Sequence, residues 1–175
     1  MKIIENSYYH IYNRGNNKNP IFFKEDNYSY FLTKLEKHLR QSCTLYAYCL
    51  MPNHFHLFLK VNHKHDFELG IKNFFISYTK SINKAYGRVG GLFQGRYRAS
   101  VVNSDSYYSR VITYIHQNPL MTGLVKKLED YRYSSYSKYL TNDPAFIDKA
   151  PVLDWFGGLD NFIRSHQIIN TYEAL

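Results

Sequence analysis

The pattern of apolar and polar positions in the first third of the chain predicts a strand, a helix and two further strands. Residues 7–14, SYYHIYNR, are rich in aromatic and β-branched types and predict the first strand. Residues 26–41 carry an apolar residue every four positions and predict an amphipathic helix. The runs TLYAYCLM and HFHLFLKV are separated only by Pro52 and Asn53, which predicts an antiparallel hairpin.

The rest of the chain is predicted to be mostly helical. Residues 66–86 have an apolar stripe at helical spacing, residues 97–102 predict a fourth strand, and a helix from about residue 105 is expected to end near Asn118, before Pro119. Three further segments are predicted: a short helix over residues 134–140, a proline-bounded connection around Pro144 and Pro151, and a closing helix from about Leu159.

This order of elements predicts an α+β fold. Helices would pack against one antiparallel sheet of the ferredoxin-like or RRM-like kind. A chain of 175 residues, 45% of them hydrophobic, can bury one core. We therefore expect a single domain over residues 1–175, with a core over about 5–122 and a C-terminal helical extension over about 123–175.

Composition and charge narrow the class of partner. The net charge of +8, together with 18 tyrosines and 12 phenylalanines, favours a nucleic acid, whose phosphates and bases suit basic and aromatic side chains. The sequence contains no apolar run long enough to cross a membrane, so we expect a soluble, cytoplasmic protein. Cys43 and Cys49, roughly 20 Å apart if they share a strand, are expected to be reduced core residues.

Two histidines share one face of a predicted strand. In the run PNHFHLFLKV, alternation sends Phe55 and Leu57 to one face and His54 and His56 to the other. We expect the apolar side chains to pack and the histidines to face outward. Two imidazoles at this spacing can converge on one cation and leave positions open for a phosphate oxygen. The alternative interpretation is an ordinary pair of half-buried polar residues.

A tyrosine and an asparagine lie on one face of the helix after the fourth strand. Tyr114 and Asn118 are four residues apart, so Tyr114 could attack phosphorus while Asn118 completes a metal site. His116 lies about 200° round the helix from Tyr114 and is expected to have a structural or capping role. Tyr107 and Tyr108, on the same helix, are expected to be packing residues.

Three segments resemble the HUH single-tyrosine transposases, with a match that runs nearly end to end: PNHFHLF, LFQGRYRASVV and YIHQNPL. Within that group, YHIYNRGNNKNPIF and YRYSSYSKYL are most similar to the REP-associated tyrosine transposases. Those enzymes cleave and rejoin single-stranded DNA. The resemblance implies a partner that is single-stranded or hairpin DNA, and a protein that acts as a monomer or a homodimer.

The resemblance also implies a set of site residues. His54 and His56 would bind a divalent metal, Mg²⁺ or Mn²⁺, Tyr114 would be the catalytic nucleophile, and Asn118 would be the third metal ligand. Insertion-sequence relatives commonly have the longer glutamine at the position of Asn118. Because a residue before proline avoids the α region, Asn118 is expected at a frayed helix end, and Gln117 is the alternative ligand. The implied reaction is metal-dependent attack of tyrosine on DNA, through a 5'-phosphotyrosine intermediate and a free 3'-hydroxyl, at hairpin-forming repeats.

Two basic segments are expected to hold phosphates and stack bases. One is the turn after the first strand and the other follows the glycine loop. Their residues are Arg14, Asn16, Asn17, Lys18, Arg96, Tyr97 and Arg98.

Two other hypotheses compete with this function. A replication initiator or conjugative relaxase would share the histidine pair and the tyrosine but is usually longer. A non-catalytic RRM-like protein that binds single-stranded nucleic acid would instead stack bases on Tyr8, Tyr12 and Phe58, although the RNP-type motif is missing.

Overall fold

A four-stranded antiparallel sheet is the centre of the computed structural model, which describes residues 2–141 and 145–168. The strand order is β2-β3-β1-β4, and every neighbouring pair is antiparallel. Met51 pairs with His54, so β2 and β3 form the predicted hairpin with Pro52 and Asn53 as its loop. The strands are β1 Tyr8–Arg14, β2 Cys43–Met51, β3 His54–Val61 and β4 Arg98–Val102.

Helices cover both faces of the sheet, which confirms the predicted α+β class. The helices are α1 Asp26–Leu39, α2 Lys64–Ala85, α3 Asp105–Met121, α4 Tyr136–Tyr139, α5 Ala150–Phe156 and α6 Leu159–Gln167, with short 3₁₀ turns at Asn16–Lys18 and Leu128–Asp130. Pro144 and residues 169–175 of the predicted extension lie outside the described residues.

One face of the sheet packs against α1 and α2. The alternation in β1 and β3 sends Tyr9, Ile11, Phe55, Leu57 and Leu59 into this core, as the pattern predicts. The two helices approach each other closely at a glycine. A Cβ at Gly70 would lie 2.4 Å from the backbone oxygen of His38, so a larger residue there would push α1 and α2 apart.

The other face of the sheet is covered by α3, which corrects the expectation that the histidines face outward. Apolar residues of α3, such as Ile112 and Ile115, are fully buried with Phe58 in a second core. His56 is only 6% exposed. The strand pattern alone could not show this, because the helix that covers His56 comes much later in the chain.

Helix α3 continues past Pro119, where the sequence predicts its end. It runs to Met121, although Pro119 cannot donate the backbone hydrogen bond that the helix would make to Ile115. The last turn is closed instead by Thr122, whose backbone N–H and side-chain hydroxyl both donate to the carbonyl of Asn118. Asn118 is therefore helical, not frayed.

The C-terminal segment contains one more helix than predicted. Residues 150–156, expected to be part of a proline-bounded connection, form α5. Pro151 lies in the first turn of this helix, where its missing N–H needs no partner within the helix. The predicted helices near residue 136 and from Leu159 are present as α4 and α6.

A buried hydrogen-bonded network ties α3 to this C-terminal segment. The imidazole of His116 contacts His166 of α6 (Nδ1 to Nε2, 2.8 Å) and the hydroxyl of Ser135 (Nε2 to Oγ, 2.7 Å). His166 also bonds to the carbonyl of Phe162. The prediction of a structural role for His116 agrees with these contacts.

Two smaller expectations can be compared with the described part of the chain. Within it, no helix has the length and apolar character that crossing a bilayer requires. Cys43 and Cys49 are buried on β2, and neither forms a disulfide.

Replacing His166 should change how stability depends on pH. Burial lowers the pKa of His166 to about 4 in the folded protein, against 6.5 for an exposed histidine. The unfolded chain therefore takes up a proton as pH falls below 6.5 while the folded chain does not, and folding loses stability. We expect about 2 kcal/mol of loss between pH 7 and pH 5 from this residue.

Urea unfolding of wild type and His166→Gln at pH 7 and pH 5 checks this expectation. The variant should lose this part of the pH dependence, and His65→Gln, at an exposed position, should keep the wild-type dependence. Equal pH dependence in wild type and His166→Gln would contradict it.

Candidate active site

Side chains from β1, β3 and α3 meet on the sheet face that α3 covers. Directly opposite residues of antiparallel strands point to the same face. Tyr12 of β1 lies opposite His56 of β3, and Arg14 lies opposite His54. The ring of Tyr114 on α3 is nearly perpendicular to the ring of His56, with 5.6 Å between the ring centres. The structure thus brings the predicted histidines and the predicted tyrosine together.

The two histidines of β3 lie side by side. Their ring centres are 5.2 Å apart and the ring planes are nearly perpendicular. Nδ1 of His54 is 2.7 Å from the side-chain oxygen of Asn53. That oxygen can only accept, so Nδ1 carries the proton and Nε2 of His54 keeps a lone pair that can bind a metal.

His56 is oriented by a third histidine that sequence reasoning missed. Nδ1 of His56 lies 2.9 Å from Nε2 of His10, and both side chains are buried. Burial lowers the pKa of His10 to about 4 and that of His56 well below its ordinary value, so both are neutral at neutral pH. When His56 donates this hydrogen bond, its Nε2 is free to bind a cation.

The side chain of His10 also contains a buried nitrogen, Nδ1, that lacks a hydrogen-bond partner. In the tautomer that frees Nε2 of His56, this atom carries the proton. A buried donor without an acceptor costs free energy, about 1–3 kcal/mol. A cation bound to His56 would select this tautomer, because binding would offset that cost.

Asn118 contacts both ends of the site. Its amide nitrogen donates to the backbone oxygen of Tyr114 at 2.9 Å, which leaves its amide oxygen as an acceptor or ligand. Burial raises the pKa of Tyr114, and the Asn118 amide partly offsets this shift. Burial also lowers the pKa of His54, which the Asn118 amide opposes and the Arg14 guanidinium reinforces.

The donors in this site fit a divalent cation. Two neutral imidazole nitrogens and an amide oxygen, from His54, His56 and Asn118, can bind a cation without adding protein charge, so water or a phosphate can take the other positions. Residues 2–141 and 145–168 bring together no group of three or more His, Cys, Asp or Glu side chains that could hold a metal. The candidate metal site therefore needs the amide oxygen of Asn118 as its third protein ligand.

Gln117, the alternative third ligand, is turned away from this site. Its amide nitrogen donates to the backbone oxygens of His166 and Ile168. Tyr107 and Tyr108 are also placed as predicted, among packing residues. The ring of Tyr108 lies 4.4 Å from that of Tyr8.

The first predicted DNA-binding segment lies beside the histidines. Arg14 is exposed and donates from Nε to the side-chain oxygen of Gln94 at 2.5 Å. All three residues of the turn Asn16–Lys18 are exposed, and the backbone oxygen of Lys18 accepts from the side chain of Asn53. This turn and His54 therefore occupy the same end of the sheet.

The second predicted segment is divided between the two faces of the sheet. Arg98 lies opposite Tyr12 in the register, on the face of the histidines. Tyr97 points to the other face, where its ring stacks on Phe75 of α2 at 5.8 Å between centres. Arg96 lies over the ring of Tyr97. The alternation of the strand thus separates Arg98 from Tyr97, although Arg96, Tyr97 and Arg98 all line one depression at the β4 edge, and their contact with DNA stays a prediction.

Sequence reasoning missed His10 and Asn53 as neighbours of the site. The available signal for Asn53 is its position directly before His54. His10 alternates with Tyr8 and Tyr12 along β1, but its role depends on the pairing of β1 with β3.

Comparisons with known proteins give the family and the fold. A family model described as transposase IS200-like matches residues 3–118. A REP-associated tyrosine transposase of Haemophilus influenzae is 23% identical over 151 residues, which cover 77% of this chain and 81% of the relative. A solved structure described as a REP-associated tyrosine transposase bound to a REP hairpin superposes with a TM-score of 0.69 at 16% identity, over 86% of this chain and 93% of that one.

Substitutions of His54 and His10 should have different effects on metal binding, because His54 is a proposed metal ligand and His10 orients the other proposed ligand, His56. We expect His54→Ala to abolish Mn²⁺ binding. His10→Phe keeps the ring volume but removes the partner of His56, and we expect it to weaken Mn²⁺ binding about 10- to 100-fold. Calorimetric titration with Mn²⁺ measures both effects. His65→Ala, at an exposed position, is the control and should bind as wild type; unchanged affinity in His54→Ala would contradict the assignment.

Proposed function

Because the chain belongs to the family of IS200-like transposases, we propose that it cleaves and rejoins single-stranded DNA with Tyr114 as the nucleophile. The observation that carries the proposal is the convergence of Tyr114 with His54, His56 and Asn118 in one buried site. In this proposal His54, His56 and Asn118 hold a divalent cation, Mg²⁺ or Mn²⁺.

Tyr114 supplies the attacking oxygen. As its phenolic oxygen bonds to phosphorus, the bond between phosphorus and the 3'-oxygen breaks, which gives a 5'-phosphotyrosine and a free 3'-hydroxyl. Rejoining is the reverse attack by a 3'-hydroxyl. Burial raises the pKa of Tyr114, so its hydroxyl is protonated at neutral pH and must lose the proton as the new bond forms.

The other residues of the site orient and bind. When bound, the cation would polarise a non-bridging oxygen of the scissile phosphate. Asn53 and His10 fix the rings of His54 and His56 so that each can present Nε2. Asn118 lies between Tyr114 and His54, so it would keep the nucleophile next to the metal ligands.

The DNA strand would be held by the basic residues at the same end of the sheet. Arg14, Lys18 and Arg98 are exposed beside the site, and Asn16 and Asn17 present polar groups on the same turn. The net charge of +8 favours phosphate contacts. Hairpin-forming repeats are the proposed substrate, supported by the similar structure that is bound to a REP hairpin.

We also propose that one chain forms a complete site within a single domain. Tyr114 and both histidines belong to the same chain, and α3 is buried against its own sheet and against the C-terminal helices. A homodimer that exchanged α3 alone would have to break the bonds of His116 to Ser135 and His166.

The structure argues against the alternative hypothesis of a non-catalytic, RRM-like nucleic-acid-binding protein. That hypothesis needs Tyr8 and Phe58 exposed for stacking with bases. Phe58 is fully buried, and Tyr8 packs against Tyr108 and Trp155. Tyr12 is the one of these three rings beside the candidate active site.

Replacing the nucleophile should abolish the covalent product. We expect wild type to form a protein–DNA adduct on single-stranded hairpin oligonucleotides taken from the DNA that flanks the gene, and Tyr114→Phe to form none while it still binds DNA. A denaturing gel with labelled DNA detects the adduct. Tyr107→Phe, a half-buried tyrosine on the same helix, is the matched control and should form it normally. An adduct that persists in Tyr114→Phe would place the nucleophile elsewhere.

Removal of divalent metal should have the same effect on the wild-type protein. We expect EDTA to abolish the adduct and added Mn²⁺ or Mg²⁺ to restore it, because the attack needs the phosphate to be polarised. Adduct formation that is insensitive to EDTA would show that His54 and His56 have another role.

A further inference from the structure

A groove of about 570 Å³ lies between α2 and the loop that precedes β4, on the side of the sheet away from the candidate active site. Its walls are mainly apolar, with Ile71, Phe75, Ile76, Leu92, Phe93 and Tyr97 among the lining residues. Three cationic side chains, Lys72, Lys80 and Arg96, also line it, against the single carboxylate of Glu68. The groove is therefore apolar inside and positively charged at its edges.

Flat aromatic surfaces form part of the groove. The rings of Phe75 and Tyr97 are parallel within 2°, and Phe93 meets Phe75 edge-on at 4.9 Å between centres. The guanidinium of Arg96 lies over the Tyr97 ring. Aromatic rings next to cations are the combination that binds the bases and the phosphates of single-stranded nucleic acid.

A second depression connects this groove to the candidate active site. It has a volume of about 280 Å³ and lies along β4, where Tyr12, Arg96, Tyr97 and Arg98 line it. Arg96 and Tyr97 also line the groove, so the two spaces adjoin. At the other end, the ring of Tyr12 stacks at 5.8 Å on the ring of His56. A continuous surface thus leads from His56 to the groove.

We propose that the groove binds a nucleobase of single-stranded DNA whose backbone passes from the candidate active site across Arg98 and Arg96. This inference rests on the proposed function and adds a second point of contact with the DNA strand. The excess of cations over carboxylates in the lining argues for an anionic strand as the occupant. The groove would then hold the strand in register with Tyr114, at a base outside the reacting phosphate.

Two exposed residues of α2 provide a matched test. Ile76 lines the groove and is 43% exposed, whereas Leu69 is 51% exposed on the same helix and is not among the lining residues. Ile76→Glu and Leu69→Glu add the same charge to the protein, and neither disturbs the core. Differences between them therefore report on the groove and not on the net charge.

The measurement is the affinity for labelled hairpin oligonucleotides by fluorescence anisotropy. Each hairpin is tested without a tail and with single-stranded tails of increasing length on the 5' or the 3' side. We expect Ile76→Glu to weaken binding of one tailed hairpin about 10-fold relative to Leu69→Glu, and to leave binding of the tailless hairpin equal in the two variants. Arg96→Ala should reduce the salt dependence of binding for the same tailed hairpin.

The outcomes separate this proposal from the proposed function. Equal affinities of Ile76→Glu and Leu69→Glu for every tailed hairpin would overturn the groove as a base-binding site, even when wild type forms the Tyr114 adduct, and would favour an apolar protein segment as its occupant. A tail-dependent difference without any adduct in wild type would support the groove and overturn the catalytic proposal alone.

Discussion

The packing of α3 across β1 and β3 is the contact on which the candidate active site depends. The sheet alone would expose His56 and His10 to water, where each would titrate near its ordinary pKa. Under α3 both rings are buried, their pKa values fall, and each needs the hydrogen bond that joins them. The same contact places the ring of Tyr114 nearly perpendicular to the ring of His56. One helix–sheet interface therefore sets the protonation of the histidines and the position of the tyrosine.

The residues that anchor α3 to the rest of the protein differ from those proposed to bind the metal and attack the DNA. His54, His56, Tyr114 and Asn118 all lie within residues 3–118, which the family model matches. His116 anchors the same helix on its opposite side, through partners that come later in the chain, in and before the C-terminal helices. Helix α3 is therefore packed on the face that carries Tyr114 and on the face that carries His116, which limits movement of Tyr114 away from the sheet.

Local sequence patterns were sufficient for most elements, because strand alternation and helical spacing are properties of neighbours in the chain. The site residues were chosen from these patterns together with the family resemblance. Contacts between distant segments were not predictable in this way. The role of His10 needs the pairing of β1 with β3, and the burial of His56 needs α3. The helix boundaries predicted at Pro119 and Pro151 were wrong. A proline suggests that a helix ends, but tertiary packing decides whether it does. The metal, the nucleophile and the DNA contacts remain predictions.

The position of His166 has a consequence for biosynthesis. The ribosome adds α6 after the strands of the sheet and α3, so the bond from His116 to His166 can form only after every residue of the candidate site has been translated. A messenger cut short before residue 159 would encode every residue of the candidate site and Ser135 but not His166, the second hydrogen-bond partner of His116. The order of translation thus separates the presence of the reactive groups from the last of the contacts that fix α3.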